Sequence, residues 1–211
     1  MGMSSKIKQY LREHNISEDC KGILVHENRD KIEIRVYDKD SFYLFSKYRM
    51  FTGDIKYTYD KGSKMALYNE KTLYNKSTIN DDVYIVEGEF DCISLNKIYP
   101  VVITSTGGCT SWKDEWTEVL KNRNIKICFD NDAPGRKASM SLYKKLIGKV
   151  NSIEILSIQN YNDICEQLYH TGIFNPEISI PKEISIILSE KVKSKAQINR
   201  MQATIENTIK N

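Results

Sequence analysis

Glu87 and Asp91 stand in a Glu-Gly-x-x-Asp spacing, and Asp130 and Asp132 form an Asp-x-Asp pair. Each cluster directly follows a short apolar run, Val-Tyr-Ile-Val (83–86) and Ile-Lys-Ile-Cys-Phe (125–129). In open α/β sheets, ligands bind beyond the carboxyl ends of strands. Carboxylates placed there can meet at one mouth, and Asp91, one helical turn after Glu87, can face the same spot. Converging carboxylates repel, and their pKa values rise unless a cation neutralises them. Oxygen ligands of this kind suit Mg²⁺ or Mn²⁺. Such cations serve phosphoryl transfer by stabilising charge on the attacking and leaving oxygens. A lone strand-end Asp is ordinarily a turn residue or a helix cap; two such clusters at separate strand ends ask for more.

Glycines and cations surround these acids. Gly88 allows a tight turn from strand to helix. Gly107 and Gly108 follow a further apolar run and would let backbone N–H groups approach a phosphate, although a structural turn explains them equally well. Ala-Pro-Gly-Arg-Lys-Ala (133–138) places Arg136 and Lys137 in the opening turn of a helix. Cations sit badly there for the helix dipole, so phosphate or scaffold contacts explain them better.

The elements that must carry these residues fall into two textures. Residues 5–14 can form a short helix with Ser5 as its cap. Residues 22–58 alternate like strands, with 31–37 and 41–45 flanking a turn at 38–40, and read as a small antiparallel sheet rich in Lys and Arg. Residues 60–82 are polar and loop-like. From residue 83, apolar runs at 83–86, 101–105, 125–129 and 152–156 alternate with helical patterns at 90–97, 112–122, 135–147 and 162–170. That alternation predicts an α/β fold with a parallel sheet covered by helices on both faces. Pro176 and Pro181 mark a linker, and 183–210 read as one amphipathic helix that either packs back or docks a partner. The expected organisation is therefore 1–80, 81–173 and 174–211.

Composition bounds the partners. The net charge is only +3 over 211 residues, so contact with nucleic acid must come from local patches. No run approaches the roughly 18 apolar residues needed to span a bilayer, and the start lacks a signal-peptide core. A cytoplasmic location without membrane partners is expected. The five cysteines are dispersed, so buried reduced thiols are expected and no zinc.

The stretches 83–95 and 128–138 resemble the Toprim domain of bacterial-type DNA primases and phage helicase-primases. The resemblance implies that Glu87, Asp130 and Asp132 are catalytic and bind metal, with Asp91 matching the Asp of Glu-Gly-x-x-Asp and Thr-Gly-Gly (106–108) the family's glycine turn. The family's later Lys-Asp-x-(Asp/Asn)-(Asp/Glu) motif appears as Gln-Asn-Tyr-Asn-Asp (159–163). Asp163 is retained as a metal ligand there, and Asn160 stands where a second-metal Asp is possible. Upstream, 35–40, 44–49 and 63–69 resemble the small N-terminal subdomain of primases, with Arg49 and Lys64 as positional matches to phosphate-binding basic residues. Implied are RNA primer synthesis on single-stranded DNA from ribonucleoside triphosphates, Mg²⁺ or Mn²⁺ as cofactor, and a helicase or zinc-domain partner. Tyr37, Tyr43, Tyr48 and Tyr57 could stack template bases or simply fill strands. No family-type zinc cluster and no Walker P-loop is present; the short form resembles phage or mobile-element replication proteins. Two other readings stay open, a Toprim nuclease and a non-enzymatic replication accessory.

Overall fold

The computed structural model describes residues 4–180 and 190–197. It opens with α1 (Ser5–Glu13), which buries Ile7 and Leu11. Ser4 rather than Ser5 holds the cap position, and its side chain makes no capping bond. The small sheet runs in sequential antiparallel order through β1 (Ile23–His26), β2 (Lys31–Tyr37), β3 (Tyr43–Met50) and β4 (Tyr57–Tyr59). The period-2 alternation of β2 buries Ile32, Ile34 and Val36. Its hairpin turn is longer than the sequence indicates, because the Asp38 carboxylate accepts the N–H groups of both Asp40 and Phe42 at 2.9 Å. The strand expected from residue 41 therefore starts at Tyr43.

The larger sheet has six strands in the order β10-β9-β8-β6-β7-β5. These are β5 (Leu67–Tyr68), β6 (Val83–Val86), β7 (Val102–Ser105), β8 (Asn124–Cys128), β9 (Ser152–Ser157) and β10 (Glu177–Ile180). The inner four are parallel, and the two edges pair antiparallel. Connecting them are α2 (Glu89–Leu95), α3 (Glu115–Glu118), α4 (Ala133–Leu146) and α5 (Ile164–Thr171).

The parallel strands read as continuous apolar runs because both their faces are buried. On β6, Tyr84 and Val86 join a core with α1, α2, α5 and the small sheet, while Val83 and Ile85 join a second core with α4, Trp112 and Trp116. The α/β expectation thus holds, with differences at the margins. The 60–82 segment contributes β5 and 3-10 turns rather than loop alone. The helix expected over 112–122 shortens to Glu115–Glu118. The linker expected from Pro176 carries β10, an edge strand, where proline is tolerated. Most of the 183–210 stretch lies outside the described residues; 190–197 are helical and exposed. Among the described residues no helix is long and apolar enough to cross a membrane.

Strand order fixes where a site can form. The chain passes from β6 outward to β7, then returns across β6 to β8. Connections diverge there, leaving a crevice beyond the carboxyl ends of β6 and β8. Glu87 directly follows β6, and Asp130 lies two residues past the end of β8.

Candidate active site

Neighbouring contacts tie the β6 end to both β7 and the loop after β8. The Glu87 carbonyl accepts the Thr104 hydroxyl at 3.0 Å, and the Glu87 carboxylate accepts the Asp130 N–H at 3.2 Å. Glu87 thus braces the loop carrying the Asp-x-Asp pair. Asp132 begins α4, its carboxylate accepting the Gly135 N–H at 2.6 Å. Glycine is required at 135, because a Cβ there would lie 2.2 Å from the Asp130 carbonyl oxygen. Gly88 has an ordinary extended backbone. It leaves room for Asp91 instead, whose carboxylate would sit 3.2 Å from a Cβ at position 88.

The third corner comes from the 158–163 loop. Asn131 ties it to the acidic loop, taking its N–H to the Asn162 carbonyl at 2.6 Å and its side-chain amide to the Ile158 carbonyl at 2.8 Å. Asp163 then caps α5, accepting the Glu166 N–H at 2.7 Å. Asp91, Asp163 and Cys165 each offer one ligand atom within 4.8 Å of the others. Asn160 is exposed in a left-handed turn, φ 63°, a conformation Asn tolerates well.

Glu87, Asp130 and Asp132, expected to share one metal, do not bring their ligand atoms within 4.8 Å of one another among the described residues, but their charges are felt at the neighbouring acids. Burial pushes the Asp130 carboxyl up to about 8, helped by the charges of Asp91, Glu87, Asp163 and Asp132. Burial, then Asp163 and Glu87, push Asp91 up to about 7 against a lowering contact from Cys165. Among the described residues, no Lys or Arg forms an ion pair with Glu87, Asp91, Asp130, Asp132 or Asp163. Crowded carboxylates without a counter-cation are the donor set expected around a hard divalent ion.

The expected phosphate contacts fare differently. The Gly107 N–H donates to the Ser105 hydroxyl at 3.3 Å and the Gly108 N–H to the Ser105 carbonyl at 3.1 Å, so both donors close the turn itself. Gly108 supplies φ 84° for that turn. Arg136 is a scaffold cation, donating to the Asn131 carbonyl and side-chain oxygen at 3.0 and 3.2 Å. Arg49 donates to the Met50 carbonyl at 2.9 Å and lies against the rings of Tyr10, Phe51 and Tyr57. Lys64 is exposed ahead of β5, and Lys137 is exposed on the first turns of α4.

Sequence reasoning missed a buried cation. The Lys47 ammonium on β3 donates to both Glu89 carboxylate oxygens at 2.8 Å and to the Thr106 carbonyl at 3.2 Å. Burial opposes its charge, but Glu89 overcomes this and lifts Lys47 above its ordinary value. The pair clamps the small sheet onto the Glu-Gly-Glu segment beside the acids. Its only sequence signal is a second Glu beside Glu87, which reads as one more surface acid.

Comparison with known proteins shows what the chain resembles. A Toprim-like family model (Toprim_2) matches residues 84–168. The Gene 57 protein of Mycobacterium phage D29 is 33% identical over 99 residues, which is 46% of this chain and 62% of that protein. The Aquifex aeolicus primase, zinc-binding and RNA polymerase domains, superposes with a TM-score of 0.58 at 20% identity over 81% of this chain and 47% of its own. A DnaG primase catalytic domain bound to single-stranded DNA gives 0.56 at 16% identity, covering 80% and 56%. The chain therefore spans about half to three-fifths of the lengths of these relatives. Residues 84–168 are a Toprim-like segment, and the chain has the fold of DNA primase catalytic cores.

Proposed function

We propose that the chain is a primase-like catalytic core that makes RNA primers on single-stranded DNA, using Mg²⁺ or Mn²⁺ held by Glu87, Asp130 and Asp132 with Asp91 and Asp163 beside them. The observation that carries this is Asp130 at the switch-point crevice, raised to about 8 by burial and by the charges of Asp91, Glu87, Asp163 and Asp132, with no Lys or Arg paired to these acids among the described residues. When bound, the divalent ion supplies charge neutralisation on the reacting phosphate and on the pyrophosphate leaving group.

The chain's own groups do the rest. Glu87 and Asn131 hold the acidic loop rigid, so the carboxylates need not reorganise when the ion or nucleotide arrives. Lys137 stands exposed one turn beyond Asp132, where a triphosphate would need a cation. Tyr37 and Tyr43 are exposed on the small sheet and offer ring faces to template bases, whereas the Tyr57 ring is already covered by Lys47 and Arg49. Tyr48 is committed to the fold, its hydroxyl donating to Asp60 at 3.0 Å with the Lys31 ammonium 3.6 Å above its ring.

The test is direct. Protein incubated with single-stranded DNA, labelled ribonucleotides and Mn²⁺ or Mg²⁺ should yield oligoribonucleotides that vanish with Asp130→Ala. No product, even with a helicase or zinc-domain partner supplied, defeats the reading; metal-dependent cutting of DNA or RNA without nucleotides would place the chain among nucleases.

A further inference from the structure

A cavity of about 350 Å³ opens between the small sheet and the segment that follows β5. That volume suits a small ligand. Its lining includes a group that the fold leaves unsatisfied. Tyr68 on β5 is only 8% exposed and packs into the core beside the small sheet. It lines the cavity, and among the described residues its hydroxyl has no hydrogen-bond partner. A buried hydroxyl without a partner costs free energy, which a ligand oxygen would recover. Burial also holds the phenol well above its ordinary value, so the group stays a donor. Gly22 keeps the approach open: its φ is 109°, and a Cβ there would lie 3.1 Å from the Tyr68 hydroxyl oxygen. Asn69 fixes the neighbouring wall, its amide donating to the Asn96 side-chain oxygen at 2.5 Å and to the Val102 carbonyl at 2.8 Å.

The charges around that hydroxyl select the ligand. Lys21, Arg35 and Lys71 line the cavity. Lys21 and Lys71 form no ion pair among the described residues, and Arg35 places its Nε on Glu33 at 3.0 Å. Two carboxylates, Asp38 and Glu70, share the lining. They would repel a bare anion, and a neutral sugar would leave the lysines unused. A molecule that carries both a phosphate and free hydroxyls satisfies the whole set. Its dianion meets the cations, and its hydroxyls donate to carboxylates, which only accept. We propose that this cavity binds a phosphorylated sugar, with the phosphate among Lys21, Arg35 and Lys71, the sugar hydroxyls on Asp38 and Glu70, and a ligand oxygen accepting from the Tyr68 O–H. A free sugar phosphate and the 5′-phosphorylated end of a nucleic-acid strand both present this chemistry. The cavity shares no residue with the carboxylate crevice, so the proposal does not rest on primer synthesis.

Calorimetry on the full chain tests it, with ribose 5-phosphate, ribose and inorganic phosphate as probes and no divalent ion added. Ribose 5-phosphate should bind with a Kd below about 1 mM and at least about ten-fold more tightly than either fragment. Surface lysines alone would not tell the ester from inorganic phosphate. Tyr68→Phe removes one oxygen and should weaken ribose 5-phosphate about ten-fold while leaving Tm unchanged, because the hydroxyl has no protein partner to lose. Replacing both exposed lysines, Lys21→Ala with Lys71→Ala, should weaken ribose 5-phosphate by at least about ten-fold and leave ribose unaffected; this arm stands even if Tyr68→Phe fails to fold. Two oligoribonucleotides, with and without a 5′-phosphate, separate the sources. If the phosphorylated one binds more tightly and Tyr68→Phe removes the difference, the ligand is a strand end; if the two bind alike, it is the free sugar phosphate. No binding of ribose 5-phosphate up to about 10 mM, equal binding of ribose 5-phosphate and inorganic phosphate, undiminished binding in folded Tyr68→Phe or in the double lysine variant, or a Tyr68→Phe protein that loses stability along with affinity would each overturn the proposal.

Discussion

Replacing Asp130 with Asn should stabilise the metal-free protein at pH 8. The Asp130 carboxyl rises from 3.8 to about 8 in the fold, through burial first and then the charges of Asp91, Glu87, Asp163 and Asp132. An acid raised on folding binds more protons in the native state than in the unfolded one. Its contribution to stability is therefore full below about pH 4 and is lost as pH climbs toward 8. With ~1.4 kcal/mol per pH unit across that window, the ceiling is ~6 kcal/mol. Asp130 is partly open to solvent, and screening lowers the realistic figure to ~1–3 kcal/mol. Asn keeps the size and the backbone contacts and removes the charge. In chelator at pH 8, Asp130→Asn should raise Tm by about 3–9 °C, and at pH 4 the difference should close. Adding Mg²⁺ or Mn²⁺ should reverse the ranking, because a ligand at 100 times its Kd stabilises the unaltered protein by ~2.7 kcal/mol. The assay is calorimetric unfolding at pH 4, 6 and 8, with chelator or cation. If Asp130→Asn proves less stable than the parent at pH 8 in chelator, or the parent's stability is flat from pH 4 to 8, the acids are not crowded as argued.

Gly135→Ala forces a methyl against the Asp130 carbonyl, 2.2 Å from an ideal Cβ; urea titration should show a loss of ~1–3 kcal/mol or more, and cation binding should weaken with it. Lys47→Met strands the buried Glu89 carboxylate and should cost ~3–5 kcal/mol by the same titration, whereas Lys47→Met with Glu89→Leu should recover most of it. Asp163→Asn preserves a capping side chain on α5 and removes one of the charges raising Asp91, so carbon-13 titration should find the Asp91 carboxyl below its value of about 7. By contrast, Asp163→Ala should cost an additional ~1 kcal/mol as the cap is lost.

The α/β core was legible because its strands are buried on both faces. Val83–Val86 and the runs ending at Ser105 and Cys128 stand out as apolar stretches whose ends place the acids without further information. Glu87, Asp91, Asp130 and Asp132 follow from that placement alone. Elements held by partners rather than by pattern stayed hidden. Leu67–Tyr68 is too short to show a period and exists as a strand through its pairing with Thr104 and Ser105. Glu177–Ile180 sits between two prolines and is an edge strand through β9. Contacts between distant residues were equally silent: Lys47 and Glu89, 42 positions apart, meet only once both sheets form. Sequence position alone left two readings for the basic residues and glycines, and of these the structure displays contacts within the fold: Arg136 meets Asn131, and the glycine N–H groups at 107 and 108 close their own turn.

Diffraction from crystals soaked in Mn²⁺, recorded for anomalous scattering, tests the central claim most directly. The account predicts a peak coordinated by oxygens of Glu87, Asp130 and Asp132, with Asp91 and Asp163 bounding it, and no such peak in Asp130→Ala crystals. Crystals in which Mn²⁺ binds elsewhere while these carboxylates are neutralised by Lys or Arg side chains would contradict it.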